Sequence, residues 1–309
     1  MESMYPSDEE ELQDYVKSAP FDDKVDLTFR KIEQWIDHWN GNVYVAWSGG
    51  MDSTVLLDLV RQVDPNVPAV FCDTGQEYPE IRDFVRTGTN VVWIRPERNF
   101  RSVLFEEGLP LVSKRVSKRI RILKEMKPGT ENTIHLYLTG TNTSGEYDRN
   151  AKLSAKWRHL IDADIKVSEK CCDELKKKPF QKYKKETGRM PFWGLRIDEG
   201  GERRILIHKP CNIFSKRWGR STPIQFWSDG DIWQYVRGRN LPYCKLYDQG
   251  ETRTGCMFCA FGAHLEQERG ENRFERMKRS HPRQWDYYMH NIGMADQLKL
   301  VGVRIGDEG

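Results

Sequence analysis

Short apolar runs alternate with amphipathic stretches along this chain, and the first clear run is Val43–Trp47. Two glycines follow it, and then apolar residues recur at helical spacing, at positions 55, 56, 59 and 60. Further strands are predicted at Pro68–Cys72, Val91–Ile94, Ile134–Leu138 and Ile205–Ile207. Helices are predicted at Leu27–Trp39, Glu80–Arg86, Ser117–Met126 and Ala151–Ala163. This alternation predicts an α/β fold with a mostly parallel, doubly wound sheet flanked by helices.

The composition is that of a well-solvated globular chain with enough apolar residues for a core. Of 309 residues, 38% are hydrophobic and 31% are charged, and the mean hydropathy is −0.73. No apolar run approaches the roughly 18 residues of a membrane-spanning helix, and the acidic N-terminus lacks an export signal. We therefore expect a cytoplasmic protein with no membrane partner. Three parts are predicted: an acidic arm at 1–25, an α/β domain at 26–265 and a helical C-terminal appendage at 266–309.

Net charge says little about partners, because 49 Lys and Arg residues nearly balance 46 Asp and Glu residues to give +3. The local distribution of charge is more informative. Two basic stretches span Lys114–Lys127 and Lys176–Lys185. Such stretches are typical of solvated helix faces, and the alternative is contact with phosphate or nucleic acid.

The segment Ser48-Gly49-Gly50-Met51-Asp52-Ser53 lies where the first strand passes into a helix. Adjacent glycines let backbone N–H groups approach a ligand closely, because no Cβ intervenes. The start of the helix adds unpaired N–H groups and the positive end of its dipole, and Ser48 and Ser53 add hydroxyl donors. We predict a binding loop for pyrophosphate or a similar anion. Asp52 is expected to cap the helix or to meet Mg²⁺.

A second candidate loop, Asp73-Thr74-Gly75, follows the second strand. Ligands of open parallel sheets bind beyond the carboxyl ends of the strands, so Asp73 is a candidate for binding a ribose, a base or a metal. The alternative is an Asx turn that caps the next helix. Lys114 and Arg115 also follow a loop and are candidates for closing over phosphates, with a simple helix N-cap at Ser113 as the alternative.

Four of the seven cysteines form a set with metal-ligand character. Cys171 and Cys172 are adjacent, and Cys256 and Cys259 form a Cys-x-x-Cys pair. Four thiolates suit either tetrahedral Zn²⁺ or a four-iron cluster, and a redox or inert thiol set is the third interpretation. The other three, Cys72, Cys211 and Cys244, lie in or beside apolar segments and are expected to be buried.

Together these motifs carry a family resemblance over roughly residues 43–260. The loop at 48–53 with Asp73-Thr74-Gly75 resembles the adenine nucleotide alpha hydrolases, or N-type ATP pyrophosphatases. Within that group the chain resembles the phosphoadenosine phosphosulfate (PAPS) reductase family. The resemblance continues in Gly194-Leu195-Arg196, in residues 223–235 and in residues 241–250, which precede the Cys-x-x-Cys pair.

The resemblance implies a sulfonucleotide reductase-like enzyme that binds an adenine nucleotide: PAPS, adenylyl sulfate or ATP. The cysteine set is similar to the one that holds a [4Fe–4S] cluster in assimilatory adenylylsulfate reductases. Lys176 is then implied to lie between cluster and substrate, and Arg196 to neutralise the leaving phosphate. A thioredoxin-like reductant is implied as partner. Family members carry a nucleophilic cysteine in a C-terminal Glu-Cys-Gly tail, whereas no cysteine follows Cys259 in this sequence.

Two other hypotheses fit the same motifs. In one, the chain is an ATP pyrophosphatase that helps insert sulfur into nucleic acid, as in DNA phosphorothioation or tRNA thiolation, with nucleic acid or a sulfur-transfer protein as partner. Basic stretches with nearby tryptophans, among them Trp157, Trp193 and Trp218, favour that hypothesis. In the other, the chain is a non-catalytic nucleotide-binding component of an assembly.

Overall fold

The computed structural model describes residue 15, residues 18–251 and residues 254–306. Within them, six strands form one sheet in the order β3-β2-β1-β4-β6-β5. The strands are β1 Val43–Ala46, β2 Ala69–Cys72, β3 Val91–Ile94, β4 Met190–Trp193, β5 Asn212–Ile213 and β6 Arg220–Ser221. Only the β5–β6 pair is antiparallel. The sheet confirms the predicted α/β fold with a mostly parallel sheet.

Helices occupy most of the connections between and after the strands. The α-helices are α1 Phe21–His38, α2 Met51–Val63, α3 Pro79–Arg86, α4 Phe100–Glu107, α5 Lys114–Glu125, α6 Glu131–Thr139, α7 His159–Asp162, α8 Lys178–Thr187, α9 Asp229–Gly238, α10 Ala263–Gln267, α11 Arg273–Ser280, α12 Pro282–Asp286 and α13 Met294–Leu300. Asp173–Lys177 and Tyr287–Asn291 are π-helical. No helix in the described ranges is long and apolar enough to cross a membrane.

The chain divides into two compact units. Unit 1 comprises Met1–Asp73, Glu77–Arg95 and Pro179–Thr254, and it contains the whole sheet. Unit 2 comprises Thr74–Gln76, Pro96–Lys178 and Gly255–Gly309, and its regular structure is helical apart from isolated bridges such as Leu109 with Val167. The predicted three-part division stays a prediction. Most of the acidic arm, residues 1–14, 16 and 17, lies outside the described residues.

The junction between β1 and α2 is flanked by buried residues on both sides. Val43, Tyr44 and Val45 are buried, as expected for a central strand of a parallel sheet with both faces covered. The predicted apolar face of α2, at positions 55, 56, 59 and 60, has no exposed surface. Residues 48–50 are therefore anchored at both ends.

Two predicted strands are wrong. Ile134–Leu138 lies inside helix α6, and Ile205–Ile207 lies in the 3₁₀ segment Gly201–His208. Both runs are rich in β-branched or aromatic residues, but strand propensity depends on finding a pleated neighbour. The sequence also gave no signal for β4, whose second residue is Pro191. Proline cannot donate a ladder hydrogen bond, so it argues against a strand.

Helix boundaries differ from the predictions in three places. The helix predicted at Ser117–Met126 begins earlier, at Lys114, and ends at Glu125. The helix predicted at Leu27–Trp39 begins earlier, at Phe21, and ends at His38. The helix predicted at Ala151–Ala163 is broken into a 3₁₀ turn, Ala155–Trp157, and the short α7. The C-terminal region is helical, as predicted.

Candidate functional site

The loop after β1 requires glycine at its first position after Ser48. Gly49 has φ +73°, a left-handed backbone conformation that side chains other than hydrogen rarely adopt. A Cβ there would also lie 3.0 Å from Cγ2 of both Ile81 and Val85 on α3. The loop is therefore pressed against α3, and its shape follows from the absence of a side chain.

Three backbone amides of the loop already have side-chain partners. Ser48 N–H donates to Ser53 Oγ at 3.1 Å, and Gly50 N–H donates to Ser48 Oγ at 3.3 Å. Met51 N–H donates to the hydroxyl of Tyr247 at 2.8 Å. The two serines thus shape the loop from within, and an anion at Met51 N–H would have to replace the Tyr247 hydroxyl.

Tyr247 and Thr254, near the end of the last segment of unit 1, contact the loop. Sequence reasoning did not assign either residue a role. Their hydroxyls are 3.4 Å apart, and a Cβ on Gly50 would collide with Thr254 Oγ1. Burial raises the pKa of Tyr247, so its hydroxyl stays protonated at neutral pH. The available signal was the family-like string at 241–250, which contains Tyr247.

Gly194 explains part of the Gly-Leu-Arg resemblance. It follows β4, and a Cβ at this position would lie 3.0 Å from both Cα and N of Ser53. The end of β4 therefore approaches the start of α2 at backbone contact distance. This close approach brings Arg196, two residues later, to Asp52 in the loop.

Arg196 is buried among three carboxylates instead of standing free for a phosphate. Its Nε lies 3.0 Å from Asp52 Oδ1, its Nη2 lies 2.6 Å from Asp229 Oδ1, and Asp198 is 3.7 Å from Nη1. Burial acts to lower the pKa of Arg196, but Asp52 and Asp229 outweigh it and raise that pKa. The guanidinium therefore stays charged.

Asp52 does not cap α2, because the N-cap residue is Gly50 and no side-chain cap bond forms. Its carboxylate instead faces Arg196. Burial raises the pKa of Asp52, and the attraction of Arg196 opposes that rise. Arg203 forms an ion pair with Glu199.

Asp73, at the end of β2, is a buried carboxylate held by two arginines. Arg82 Nη2 lies 3.1 Å and Arg95 Nη2 lies 3.4 Å from Asp73 Oδ2. Sequence reasoning missed both arginines, because neither belongs to a recognisable motif. The arrangement gives Asp73 partners within the protein, and its predicted role toward a ribose, base or metal stays a prediction.

Thr74 and Gly75, in unit 2, form a turn. Thr74 Oγ1 accepts a hydrogen bond from Gln76 N–H at 3.2 Å, and Gly75 has φ +74°. The carbonyl of Gln76 accepts from Met257 N–H at 2.8 Å. The turn after β2 is thereby tied to the Cys-x-x-Cys segment, in which Met257 lies.

The four predicted ligand cysteines lie in one neighbourhood of unit 2. Cys171 is buried, and the pKa of its thiol is raised, first by its hydrogen bond to Cys172 and by burial, and then by the charges of Cys172, Cys256 and Cys259. Accepting that hydrogen bond lowers the pKa of Cys172, and the nearby Lys114 and Lys176 act in the same direction. Burial raises the pKa of Cys259.

Lys114 and Lys176 are thus brought to the cysteines. Ser113 is the N-cap of α5, since its Oγ accepts from Val116 N–H at 3.2 Å, and Lys114 begins that helix. Arg115 is exposed. Ser113 therefore acts as a helix N-cap, which was the alternative to phosphate binding by this segment. Lys114 acts electrostatically on Cys172.

The Cys-x-x-Cys segment has a supporting arginine that sequence reasoning missed. Arg273 Nη1 donates to the carbonyl of Cys259 at 2.8 Å, and its Nε donates to Glu266 at 3.0 Å. Across the ranges that the structure describes, no group of three or more His, Cys, Asp or Glu side chains has a geometry that would hold a metal ion. Thiols are the ligand type that soft metals prefer. The structure places these four near one another, but not in the geometry of a metal site.

The fold and the loop define an open, mostly parallel α/β protein with a glycine-rich strand-to-helix turn. A sequence model of the phosphoadenosine phosphosulfate reductase domain matches residues 42–108 and 112–261. The chain belongs to this family, with the adenine nucleotide alpha hydrolase-like fold. This confirms the family resemblance seen in the sequence.

Known relatives are distant. Adenosine 5'-phosphosulfate reductase 2 of Bacillus subtilis is 26% identical over 225 residues, which cover 70% of this chain and 72% of that protein. The PAPS reductase of Candida auris, crystallised as a phosphate complex, is 16% identical with a TM-score of 0.45, covering 82% of this chain and 98% of that one. The U34-tRNA thiolase NcsA of Methanococcus maripaludis, with its [4Fe–4S] cluster, is 14% identical with a TM-score of 0.37, covering 92% and 81%. Neither structural likeness assigns a reaction to this chain.

Proposed function

We propose that this chain binds an adenine nucleotide at residues 48–53 and uses it in sulfur chemistry, as a sulfonucleotide reductase-like enzyme. The observation that carries the proposal is the packed loop between β1 and α2, where a side chain on Gly49 or Gly50 would strike its neighbours. A loop of this kind at a helix N-terminus presents backbone donors to an anion. Family membership supplies the nucleotide class.

In this proposal a phosphate oxygen of the nucleotide takes the place of the Tyr247 hydroxyl at Met51 N–H. The loop amides and the N-terminus of α2 then stabilise the negative charge that develops on the leaving phosphate. Arg196 acts by orienting Asp52, to which it is already paired. Asp52 keeps part of its surface exposed and is the group in the loop that would meet Mg²⁺.

In the proposed reaction a thiolate takes the sulfonate group from the nucleotide, and the nucleoside phosphate leaves. A thioredoxin-like dithiol then releases sulfite and is itself oxidised to the disulfide, so it supplies both electrons. The residues Cys171, Cys172, Cys256 and Cys259 would hold a [4Fe–4S] cluster, because four thiolates are its usual ligands. Bound there, the cluster would contribute electrostatically, and Lys176 would offset its negative charge.

The experiment compares three nucleotides on the purified protein. Binding of PAPS, adenylyl sulfate and ATP is titrated, and sulfite and pyrophosphate are then measured with a dithiol present. Sulfite from one of the sulfonucleotides supports the proposal. Pyrophosphate from ATP instead supports the second candidate, an ATP pyrophosphatase for sulfur insertion into nucleic acid, which a basic cavity lined by Lys184, Lys185, Lys216 and Arg217 also favours. Nucleotide binding without either product leaves a non-catalytic component.

Tyr247→Phe tests whether the anion displaces the tyrosine hydroxyl. The change leaves Met51 N–H without its partner in the free protein, and a net hydrogen bond is worth roughly 0.5–1.5 kcal/mol. We therefore expect about two- to tenfold tighter nucleotide binding, measured by calorimetry.

Tyr243→Phe is the matched control, since its hydroxyl bonds to Asp248 at 2.9 Å and does not reach the loop. Unchanged nucleotide affinity in Tyr247→Phe would show that the anion does not bind at Met51 N–H. Weaker binding would make the tyrosine hydroxyl a direct ligand of the nucleotide.

A further inference from the structure

A cavity of about 610 Å³ lies in unit 1. None of the residues that line it belongs to the proposed nucleotide site. Helix α8 and the residue after it contribute Gln181, Lys184, Lys185 and Gly188 to its lining. These positions are spaced as one helix face. The turn between β5 and β6 contributes Lys216, Arg217 and Trp218, and Trp39 and Met190 complete the lining.

This cavity and the loop at 48–53 lie at opposite ends of the parallel strands β1 and β4. β1 and β4 are parallel, with Val43 opposite Met190 and Ala46 opposite Trp193. Met190 is the first residue of β4, whereas the loop follows the last residue of β1. At about 3.3 Å per residue, the two ends of these strands are about 10 Å apart. The cavity is therefore a separate site, near the N-terminal end of β4, whereas the loop lies at the C-terminal end of β1.

The lining of the cavity is cationic and carries no counter-charge. Four of its residues are Lys or Arg, and among the described residues no Asp or Glu lines it. No salt bridge within the described ranges engages Lys185, Lys216 or Arg217, and all three are exposed. Basic runs on a solvated helix face usually stand beside acidic residues. Here α8 and the turn between β5 and β6 bring four cationic side chains together. Such a lining favours a polyanion as the ligand.

Trp218 gives this cationic cavity a flat aromatic surface. Its side chain is 66% exposed, and the Arg217 guanidinium lies over its ring at 4.7 Å from the centroid. The turn is held in place, because Gly219 N–H donates to Ser215 O at 2.7 Å and Lys184 Nζ donates to Arg217 O at 3.2 Å. An exposed indole on a fixed turn is a stacking platform that a phosphate alone or an acidic peptide would not require.

We propose that this cavity binds single-stranded nucleic acid, with a base stacked on Trp218 and backbone phosphates paired with Lys185, Lys216 and Arg217. Stacking on aromatic side chains beside a basic groove is how proteins bind single strands of varied sequence. A cavity of this volume is large enough for one or two nucleotides. The proposal does not depend on the adenine nucleotide site, since no residue is shared.

Fluorescence anisotropy with labelled single strands of roughly 12 nucleotides, an oligo-dT and an oligo-rU, tests this binding at several salt concentrations. We expect Trp218→Ala to weaken binding about tenfold and Trp218→Phe to retain most of it, since one stacked base is worth about 1–3 kcal/mol. Lys216→Gln with Arg217→Gln should lower the slope of log affinity against log salt by about 2. Lys209→Gln, an exposed lysine outside the cavity, should change neither quantity.

Three results would overturn the proposal: no binding by the unaltered protein at low salt, equal binding by Trp218→Ala, or equal competition by a polyglutamate peptide. The last would identify an acidic protein partner instead. Each variant is first checked by far-UV circular dichroism and by nucleotide titration. Unchanged nucleotide affinity in Trp218→Ala separates failure of this site from failure of the proposed function.

Discussion

At the scale of single residues, the glycines around the loop set how closely backbone segments approach one another. Gly49 meets α3, and Gly194 meets the backbone of Ser53. A contact with backbone cannot be relieved by rotating a side chain, so a side chain at Gly194 would have to displace the backbone of Ser53. The role of Gly194 is to let the end of β4 dock on the start of α2.

Gly194→Ala should push the end of β4 away from the start of α2. The added Cβ would lie 3.0 Å from two backbone atoms of Ser53, and overpacking of this kind typically costs about 1–3 kcal/mol. We expect the free energy of unfolding to fall by that amount, measured in urea, with nucleotide binding weakened as well.

Gly238→Ala is the control, because no atom lies within 4 Å of the added Cβ at that helical position. It should stabilise the protein by no more than the roughly 0.5–1 kcal/mol gained in the middle of a helix, because Gly238 is the last residue of α9. Equal effects of the two changes would contradict a special approach at Gly194.

At the scale of elements, the start of α9 is joined to α1 by a buried ion pair. Ser228 and Asp231 form a capping box at the N-terminus of α9. Asp231 also accepts from Lys24 Nζ at 2.7 Å, and only 2% of the lysine side chain is exposed. Because Asp229 in the same first turn pairs with Arg196, the position of α9 bears directly on the loop.

Lys24→Met should be strongly destabilising, since it leaves the Asp231 carboxylate largely buried without its cation. Breaking one side of a buried pair costs about 3–5 kcal/mol. We expect a loss near the lower end, because the capping bonds of Asp231 remain, and denaturant unfolding measures it. Arg30→Met, at an exposed position of the same helix, should change stability by no more than about 0.5 kcal/mol. A small effect of Lys24→Met would show that the pair contributes little.

At the scale of the whole molecule, the four predicted ligand cysteines belong to unit 2 and the glycine loop to unit 1. The four thiols are supported by contacts inside their own unit, such as Arg273 with the Cys259 carbonyl. The proposed nucleotide site and the proposed metal site can therefore be altered one at a time.

Metal analysis of anaerobically purified protein tests the cysteine set. We expect about four irons and a matching amount of acid-labile sulfide per chain, and a large loss of both in Cys172→Ser. Cys244→Ala, at a buried cysteine of unit 1, should keep them. One zinc without sulfide would support the zinc alternative, and protein without either metal would leave a redox or inert thiol set.

Local patterns predicted β1, β2 and β3 within one or two residues, because each is a short apolar run between polar turns. They failed at Ile134–Leu138, where a β-rich run folded as α6 because no neighbouring strand was there to pair with it. They also missed β4, whose proline gives the wrong local signal and whose pairing with β1 joins residues about 147 positions apart along the chain. Strand pairing over such distances has no local signature.

By itself, the sequence determined the strand, the paired glycines and the helix that follows, because each is encoded within a few adjacent positions. It also placed four thiols in the chain with the spacing of a soft-metal set. The tertiary structure alone decided that Tyr247 meets Met51 N–H, that Arg82 and Arg95 hold Asp73, and that Trp218 stands among lysines. These partners are remote in sequence, and their contacts form only when burial of the sheet and its helices brings them together.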